Sequence, residues 1–293
     1  MNARAPALAG LEAGVVCGKS APAGLEITVR DLRFARDGQV RRWWLGGNPV
    51  ASAWFNALSA TFPRGEAFFI ESVKAFREGV PPELERDIRA FIIQEVNHTR
   101  EHVAFNRLAS EAGFDLARID KQVEEDMAML KGRPRILDLA STMALEHFTA
   151  ILAHDLLVHP ETMAGADPEA AALWRWHAIE EIEHKAVAYD TFLHATRDWS
   201  RWRRWKLKAL MMLVITGKFI PRRIADTLHM LGEAGISGWK TRWQVLGYLF
   251  WSPGVVRRLI PAWLAYFMPG FHPWNLDDHA LIAQTEAELA ARG

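Results

Sequence analysis

Two copies of the pattern Glu-x-x-His constrain the fold of this chain more than any other feature of its sequence. The first copy is Glu95 with His98, the second is Glu181 with His184, and both lie in segments of helical periodicity. Residues three positions apart share one face of an α-helix, so each pair projects a carboxylate and an imidazole side by side. Each pair can therefore bind a metal ion, and the repetition indicates two helices that face a common centre.

Each Glu-x-x-His segment is preceded by a glutamate in an apolar stretch. Glu66 follows Phe62-Pro-Arg-Gly and precedes Ala-Phe-Phe-Ile, and Glu146 interrupts Ser141-Thr-Met-Ala-Leu-Glu-His-Phe. An unpaired carboxylate in such surroundings is costly, so each of these side chains needs a partner. The order Glu, Glu-x-x-His, Glu, Glu-x-x-His is that of di-iron and di-manganese carboxylate bundles. The pattern predicts an all-α chain with a ferritin-like four-helix bundle core and additional C-terminal helices.

Additional histidines lie on the same helical faces. His177 precedes Glu181 by four residues and His184 by seven, which places all three on one side of a helix. His102 follows His98 by four residues and shares its face. The predicted metal ligands are Glu66, Glu95, His98, Glu146, His177, Glu181 and His184, with His102 and Glu180 as further candidates.

The expected cofactor is a pair of metal ions. Carboxylate and imidazole ligands in a dry helical core favour iron, and manganese and zinc are the alternatives. One metal is expected on Glu66, Glu95 and His98, and the other on Glu146, Glu181 and His184, with His177 as the seventh ligand.

Other acidic residues near the motifs leave alternatives open. Glu101, Glu180 and Glu183 are expected either to face water or to orient the ligating histidines. Glu71 competes with Glu66 as a ligand, but it lies five residues further on and points about 140° away on a helix.

The dipeptide His154-Asp155 leaves open a different all-α metal fold, the HD-type phosphohydrolase. That fold needs an upstream histidine and a downstream aspartate, for which His98 or His102 and Asp190 are available. This alternative does not account for the doubled Glu-x-x-His pattern.

The order of breakers and apolar segments divides the chain into three parts. Residues 1–25 are expected to be a disordered leader, residues 26–198 a metal-binding helical bundle, and residues 199–293 a basic, Trp-rich helical extension packed on it. Alternation over residues 26–34 predicts a short strand. Helices are predicted at about 50–78, 82–113, 115–131, 135–158, 168–197, 200–217, 221–234, 238–250, 254–267 and 276–291.

The cysteine content and the N-terminal sequence indicate the cellular compartment in which the protein is expected. A single cysteine, Cys17, excludes an internal disulfide framework and a thiolate metal cluster. The first residues make a poor signal peptide, because Glu12 interrupts their apolar stretch. These features predict a cytoplasmic protein.

The net charge of zero is the sum of two regions of opposite net charge. Residues 60–198 contain 15 basic and 25 acidic residues, whereas residues 199–262 contain 12 basic and 2 acidic residues. Eight of the 13 tryptophans lie from Trp199 onward. Tryptophan interleaved with Arg and Lys is typical of a helix that lies on an anionic membrane surface. The apolar runs of this region are too short to span a bilayer.

Four interpretations of the basic region remain open. It makes peripheral contact with the inner face of the cytoplasmic membrane through residues 199–268, or its tryptophans are ordinary core residues, or its basic face pairs with the acidic half, or it binds nucleic acid. Nucleic acid is not expected as a partner, because no nucleic-acid-binding fold motif accompanies the basic residues. The sequence indicates neither an electron donor nor an oligomeric state.

The segments that carry the motifs also carry a family resemblance. Through them the chain resembles, over roughly residues 30–280, a bacterial family known only as predicted metal-dependent hydrolases. The resemblance implies hydrolysis by a metal-activated water. The matching stretches are Trp43-Trp44 through Asn48-Pro49, Asn56-Ala-Leu-Ser59, Phe62 to Val73, Gln94-Glu95 with His98 and His102, Glu146-His147, Glu181 with His184, and His272-Pro-Trp274.

The spacing of the ligands is similar to that of ferritin-like di-iron oxygenases. The arrangement of His177, Glu181 and His184 resembles the histidine-rich helix of the arylamine N-oxygenases, and His102 has no counterpart there. This second resemblance favours an O₂-dependent oxidase or oxygenase that acts on a small or lipid-like organic substrate. A metal-dependent hydrolase is the alternative, and a non-catalytic metal-binding protein is the second alternative.

Overall fold

The computed structural model describes residues 26–34 and 41–290, and its regular structure there is helical. The prediction of an all-α chain is confirmed, and the predicted leader over residues 1–25 lies outside the described residues. The helices are α1 Pro49–Ser59, α2 Phe62–Lys74, α3 Pro82–Glu111, α4 Ala117–Met129, α5 Arg135–Val158, α6 Pro168–Glu183, α7 Val187–Ala195, α8 Arg201–Glu233, α9 Trp239–Phe250, α10 Val255–Ala265 and α11 His279–Ala290.

Helices α1 and α6 begin in the same way, with a polar cap followed by proline. The side chain of Asn48 accepts hydrogen bonds from the backbone N–H groups of Val50 and Ala51. The side chain of Asp167 accepts from the N–H groups of Glu169 and Ala170. Such caps satisfy donors that the helix itself leaves unpaired. The first turn also tolerates proline, which lacks an N–H, because an N–H at that position would have no partner within the helix.

Two segments that were each predicted as a single helix are interrupted. The segment predicted over 50–78 contains α1 and α2, which are separated at Ala60 and Thr61. Pro63 stands in the first turn of α2, where the missing N–H suits a new helix start. The segment predicted over 168–197 contains α6 and α7, and the break begins at His184. The second Glu-x-x-His motif therefore ends its helix rather than occupying the middle of it.

A predicted break in the C-terminal region is absent. Helices expected at 200–217 and 221–234 form the continuous helix α8, which contains Pro221. Proline removes one hydrogen bond of a helix, and tertiary packing on both sides can compensate for that loss. Met212 before the proline and Met230 after it are fully buried, so both halves of α8 are anchored in apolar cores.

Four helices, α2, α3, α5 and α6, carry the predicted ligands and pack against one another. Helix α5 also contacts α7, α8 and α10, which makes it the central helix of the molecule. Among the described helices, α5 is the one whose length and apolar composition would suffice to cross a membrane, but 67% of its apolar window is buried inside the protein. A ferritin-like connectivity for these helices stays a prediction.

The C-terminal helices pack on the bundle. Helix α8 contacts α1 and α5, α10 contacts α5, and α11 contacts α6. Both apolar cores combine residues from the two parts of the chain. Phe148 and Met212 share one core, and Trp54 and Leu231 share the other. The boundary between the parts at residue 198 stays a prediction.

Candidate metal centre

The structure brings all the predicted ligands into one buried cluster between four helices. Helix α2 supplies one carboxylate, α3 supplies a Glu-x-x-His pair, α5 supplies one carboxylate, and α6 supplies three side chains at and near its C-terminal end. Each of these residues is 4% exposed or less. They are Glu66, Glu95, His98, Glu146, His177, Glu181 and His184.

One half of the cluster is centred on Nδ1 of His98. This atom lies 3.7 Å from Oε2 of Glu95 and 3.6 Å from Oε1 of Glu181. The same Oε1 of Glu181 lies 3.1 Å from Nε2 of His177. Glu66 groups with Glu95 and His98, with ligand atoms within 4.8 Å of one another. These atoms form a first pocket of potential donors.

The other half is centred on Nε2 of His184. This atom lies 3.3 Å from Oε1 of Glu95, 3.4 Å from Oε2 of Glu146 and 3.6 Å from Oε2 of Glu181. Glu95 and Glu181 therefore present one oxygen to each half of the cluster. Two bridging carboxylates are a suitable arrangement for a dinuclear centre.

The position of His177 refines the expected division of ligands. It was predicted as a seventh ligand beside Glu146, Glu181 and His184. Its ring centroid lies 4.3 Å from that of His98, and the two rings share Oε1 of Glu181. His177 therefore belongs with His98, because α6 presents it one turn before Glu181 and on the side of α3.

The buried atoms that lack hydrogen-bond partners test whether the site fits a metal. Buried polar atoms in proteins are nearly always paired. Among the described residues, eight unpaired buried atoms belong to this cluster and converge on its centre, which matches what metal ions require. They are Oε1 of Glu66, both carboxylate oxygens of Glu95 and of Glu146, Nδ1 of His98, Oε2 of Glu181 and Nε2 of His184.

The outward ring nitrogens of two histidines of the cluster are fixed by hydrogen bonds. Nε2 of His98 lies 3.1 Å from Oε2 of Glu180, and Nδ1 of His184 lies 2.9 Å from Oε1 of Gln94. A carboxylate or amide oxygen at this position selects the tautomer whose other nitrogen is free for a metal. Glu180, a further candidate ligand, thus contacts the outward nitrogen of His98, a position suited to orienting its ring.

A second further candidate, His102, has both ring nitrogens engaged. Its Nε2 lies 2.9 Å from Nδ1 of His177, and its Nδ1 lies 2.8 Å from Oγ of Ser59. The Ser59 hydroxyl donates to Oδ1 of Asn106 at 2.7 Å. The Nδ1 of His177 thus shares a hydrogen bond with His102, and its Nε2 lies 3.1 Å from Oε1 of Glu181. Both nitrogens of His102 are thus in hydrogen bonds, and its side chain also groups with Glu66 and His177 as a possible metal donor.

The segment 26–34 closes one side of the centre without forming a strand. The backbone N–H of Arg30 donates to Oε1 of Glu180 at 3.0 Å, and that of Thr28 donates to Oε2 of Glu183 at 3.2 Å. The guanidinium of Arg30 also binds Glu183 through both carboxylate oxygens and pairs with Glu286. The predicted strand was wrong, since its donors bind acidic side chains of α6 instead of a second strand.

Burial and neighbouring charges shift the pKa values of the cluster in opposite directions. Burial raises the pKa of Glu146 to about 8. Burial also opposes the charging of His98, but its hydrogen bond with Glu180 and the charge of Glu95 raise its pKa to about 10. Burial and the charge of His98 lower the pKa of His177 to about 4. Cations bound among these carboxylates would offset their mutual repulsion.

The comparison with known families agrees with this geometry. A family model described as predicted metal-dependent hydrolase matches residues 28–277. The chain belongs to this family. Curated proteins and solved structures gave no match to the chain. The matched region begins within the segment that carries Arg30 and includes every residue of the metal cluster.

Other residues weighed as ligands lie elsewhere in this family member. Glu71 is exposed and pairs with Lys74. His154 pairs with Asp278, and Asp155 forms a two-pronged ion pair with Arg258. Both residues of the dipeptide on which the HD-type alternative rests are thus engaged in ion pairs. Their partners do not belong to either Glu-x-x-His motif.

The sequence patterns did not predict that several further residues would contact the metal cluster. Gln94 joins Glu183 to His184, Ser59 supports His102, and Arg30 joins Glu180 to Glu183. Gln94 and Ser59 stood in segments that carried the family resemblance, but nothing in their spacing indicated these contacts. Arg30 lies 150 residues from Glu180 along the chain, so no local pattern could reveal it.

Removing the Arg30 side chain is expected to weaken metal binding without removing a ligand. In Arg30→Ala, Glu180, which contacts His98, and Glu183, which holds Gln94 against His184, lose their cationic partner, and metal affinity should fall roughly 10–100-fold. Competition with a chromogenic chelator measures the affinity. Arg33→Ala is the matched control, because Arg33 is exposed and pairs only with Asp31 among the described residues. Equal affinities in both variants would contradict the assigned role.

Proposed function

We propose that this protein is a hydrolase with a dinuclear metal centre. The observation that carries the proposal is the convergence of eight unpaired buried ligand atoms on two adjoining pockets. Membership of the predicted metal-dependent hydrolase family supports the reaction class. Glu66, His98 and His177 would hold one ion, Glu146 and His184 would hold the other, and two carboxylates would bridge them. The bridging residues are Glu95 and Glu181.

When bound, a pair of divalent ions supplies Lewis acidity and lowers the pKa of water, so that a nucleophile forms near neutral pH. The protein residues supply position and exclude bulk water. Glu180, Gln94 and His102 hold the three ligand imidazoles in fixed orientations through hydrogen bonds of 2.9–3.1 Å. Carboxylate and imidazole donors are compatible with zinc, manganese and iron.

An apolar cavity beside His177 supports an organic substrate with a small hydrocarbon group. The cavity has a volume of about 40 Å³, and its wall includes Trp54, Phe62, Leu152 and Phe219. The ring of Phe62 stacks on that of His177 at 4.9 Å between centroids. Apolar walls reject charged groups, because such groups would lose their hydration without gaining a partner. We infer that the group next to the scissile bond is an acyl or alkyl chain.

A second candidate is O₂-dependent oxidation at a di-iron centre. Two observations favour it: the ligand set contains four carboxylates and three imidazoles, and all of them are buried in a helical core. Carboxylate-rich sites in water-excluded bundles are suited to iron redox chemistry. Oxidation would use the same residues and the same cavity, and it differs from hydrolysis in needing oxygen and electrons.

Hydrolysis is expected to proceed without oxygen. The purified protein, loaded separately with zinc, manganese or ferrous iron, should cleave nitrophenyl esters under argon, with a preference among acyl chains that the apolar cavity accepts. Glu181→Gln should abolish turnover, whereas Glu71→Gln, which changes an exposed residue, should retain it. Turnover that requires iron and consumes oxygen would favour the second candidate. Inactivity of a fully loaded protein on all substrates in both atmospheres would indicate a non-catalytic metal-binding protein.

A further inference from the structure

Helices α8 and α10 are linked by two side-chain hydrogen bonds and carry large exposed apolar side chains. The indole N–H of Trp205 on α8 donates to the carbonyl of Phe267 at 2.8 Å, and that of Trp263 on α10 donates to Oγ1 of Thr216 at 2.9 Å. These two contacts set the helices antiparallel. Along α8 the exposed apolar side chains are eight and three residues apart, and on α10 they are four apart, with one more four residues later just beyond the helix end, so each set forms a stripe. We call them the α8–α10 face: Trp202, Leu210, Leu213, Ile260, Leu264 and Met268.

The residues of the α8–α10 face are unusually exposed for their size. Trp202 is 62% exposed, and Leu264 is 54% exposed. Trp202 also stacks on Trp205 at 4.9 Å, so its indole is held in place rather than free to fold onto the surface. A contiguous exposed apolar surface marks a site of interaction with a membrane or another protein.

Cations border the α8–α10 face at both ends. Arg201, Arg203 and Lys206 stand at the start of α8, and Lys218 and Arg257 stand at the other end, all of them exposed. The chain has no acidic residue between Asp198 and Asp226, nor between Glu233 and Asp277. Asp226 itself is buried and paired with Arg223. The face therefore combines apolar side chains with positive charge that no acidic residue of these helices neutralises.

Charge decides between the two partners that such a face could take. In a symmetric dimer the face would meet its own copy, and cations would oppose cations. An anionic bilayer offers both a hydrocarbon boundary for leucine and tryptophan and phosphate groups for arginine and lysine. An amphipathic surface of this composition buries its apolar side to a depth of about 5–10 Å in a membrane.

We propose that the α8–α10 face docks on an anionic membrane surface. The proposal does not rest on the reaction at the metal centre, but it fits the apolar cavity, whose wall includes Phe219 of α8 and Val255 of α10. The docked protein would then meet its substrate at the bilayer surface. The proposal explains why basic and acidic residues are separated in the sequence: the basic half would face lipid, and the acidic half would carry the metal ligands.

Vesicle flotation tests the proposal. The metal-loaded protein should float with vesicles made of equal parts phosphatidylcholine and phosphatidylglycerol, should float less at high salt, and should not float with phosphatidylcholine alone. Leu264→Glu should lower partitioning at least about tenfold, because it places a charge where an apolar group would be buried. Met129→Glu is the matched control, since Met129 on α4 is 68% exposed and far from the face in sequence.

A charge-reversal pair tests the electrostatic part. Arg201→Glu with Lys206→Glu should reduce flotation with anionic vesicles and flatten its dependence on salt, whereas Lys121→Glu on the acidic helix α4 should change neither. Unchanged metal content and far-UV circular dichroism verify that each variant is folded. Absence of flotation by the wild-type protein, or equal flotation of Leu264→Glu and Met129→Glu, would overturn the proposal. A dimer that Leu264→Glu dissociates would overturn it in favour of a second copy as the partner.

Discussion

Glu95→Ala and Glu181→Ala are each expected to reduce the bound metal from two ions per chain to none. The reason is geometric, because each of these carboxylates turns one oxygen toward His98 and the other toward His184. Removal of either side chain takes a donor from both pockets at once. Metal analysis of the purified variants by mass spectrometry, after removal of loosely bound ions, measures the outcome.

Glu66→Ala and Glu146→Ala provide a sharper comparison. Each of these carboxylates approaches one pocket, Glu66 beside His98 and Glu146 beside His184, so each variant should keep one ion. Glu71→Ala is the control for the loss of an acidic residue on α2, and it should keep both ions because its carboxylate is exposed. Retention of two ions in Glu95→Ala or Glu181→Ala would disprove the dinuclear centre.

Removal of the metals is expected to lower the free energy of unfolding by about 3–4 kcal/mol for each ion that had been present at 100–1,000 times its dissociation constant. For a chain of this length, that loss corresponds to a fall in melting temperature of roughly 10 °C. The physical cause is the set of buried carboxylates, whose unpaired oxygens in the described structure lose the cations that satisfy them. Thermal unfolding followed by circular dichroism, before and after chelation, measures the shift.

Two controls separate metal binding from unspecific effects of the chelator. Readdition of the metal should restore the melting temperature, since the ligand side chains remain in place. Glu181→Ala, which is expected to contain no metal, should show no further loss of stability on chelation. If the chelated wild-type protein melts at the temperature of the loaded protein, the buried cluster is not a stabilising metal site.

The helical class and the ligand cluster follow from local sequence patterns. Apolar residues at helical spacing predict α3 and α5 within one or two residues of their bounds. The spacing of Glu95 and His98 places both on one face of α3, and in the structure both point into the same buried cluster. Such inferences succeed because a helix determines the direction of a side chain from its position alone.

The breaks between helices follow less directly from local patterns. His184 lies in a segment whose apolar residues continue at helical spacing, yet α6 ends at Glu183 and α7 begins at Val187. The imidazole at this helix end interacts with Gln94 on one side and Glu146 on the other. Contacts across the bundle therefore decide the local conformation, since helix propensity is a weak preference that tertiary packing overrides.

The sequence by itself determined the all-α class, the residues that face the centre and the division of charge, because each depends on spacing and composition along one segment. Tertiary structure alone decided which carboxylates approach both pockets, which side chains contact His102 and Glu180, and that Arg30 binds the acidic residues on one side of the centre. These features depend on contacts between side chains that lie far apart in the sequence, such as Arg30 and Glu180, which are separated by 150 residues. Hydrogen bonds act over about 3 Å, so only the packing of the helices can assign their partners.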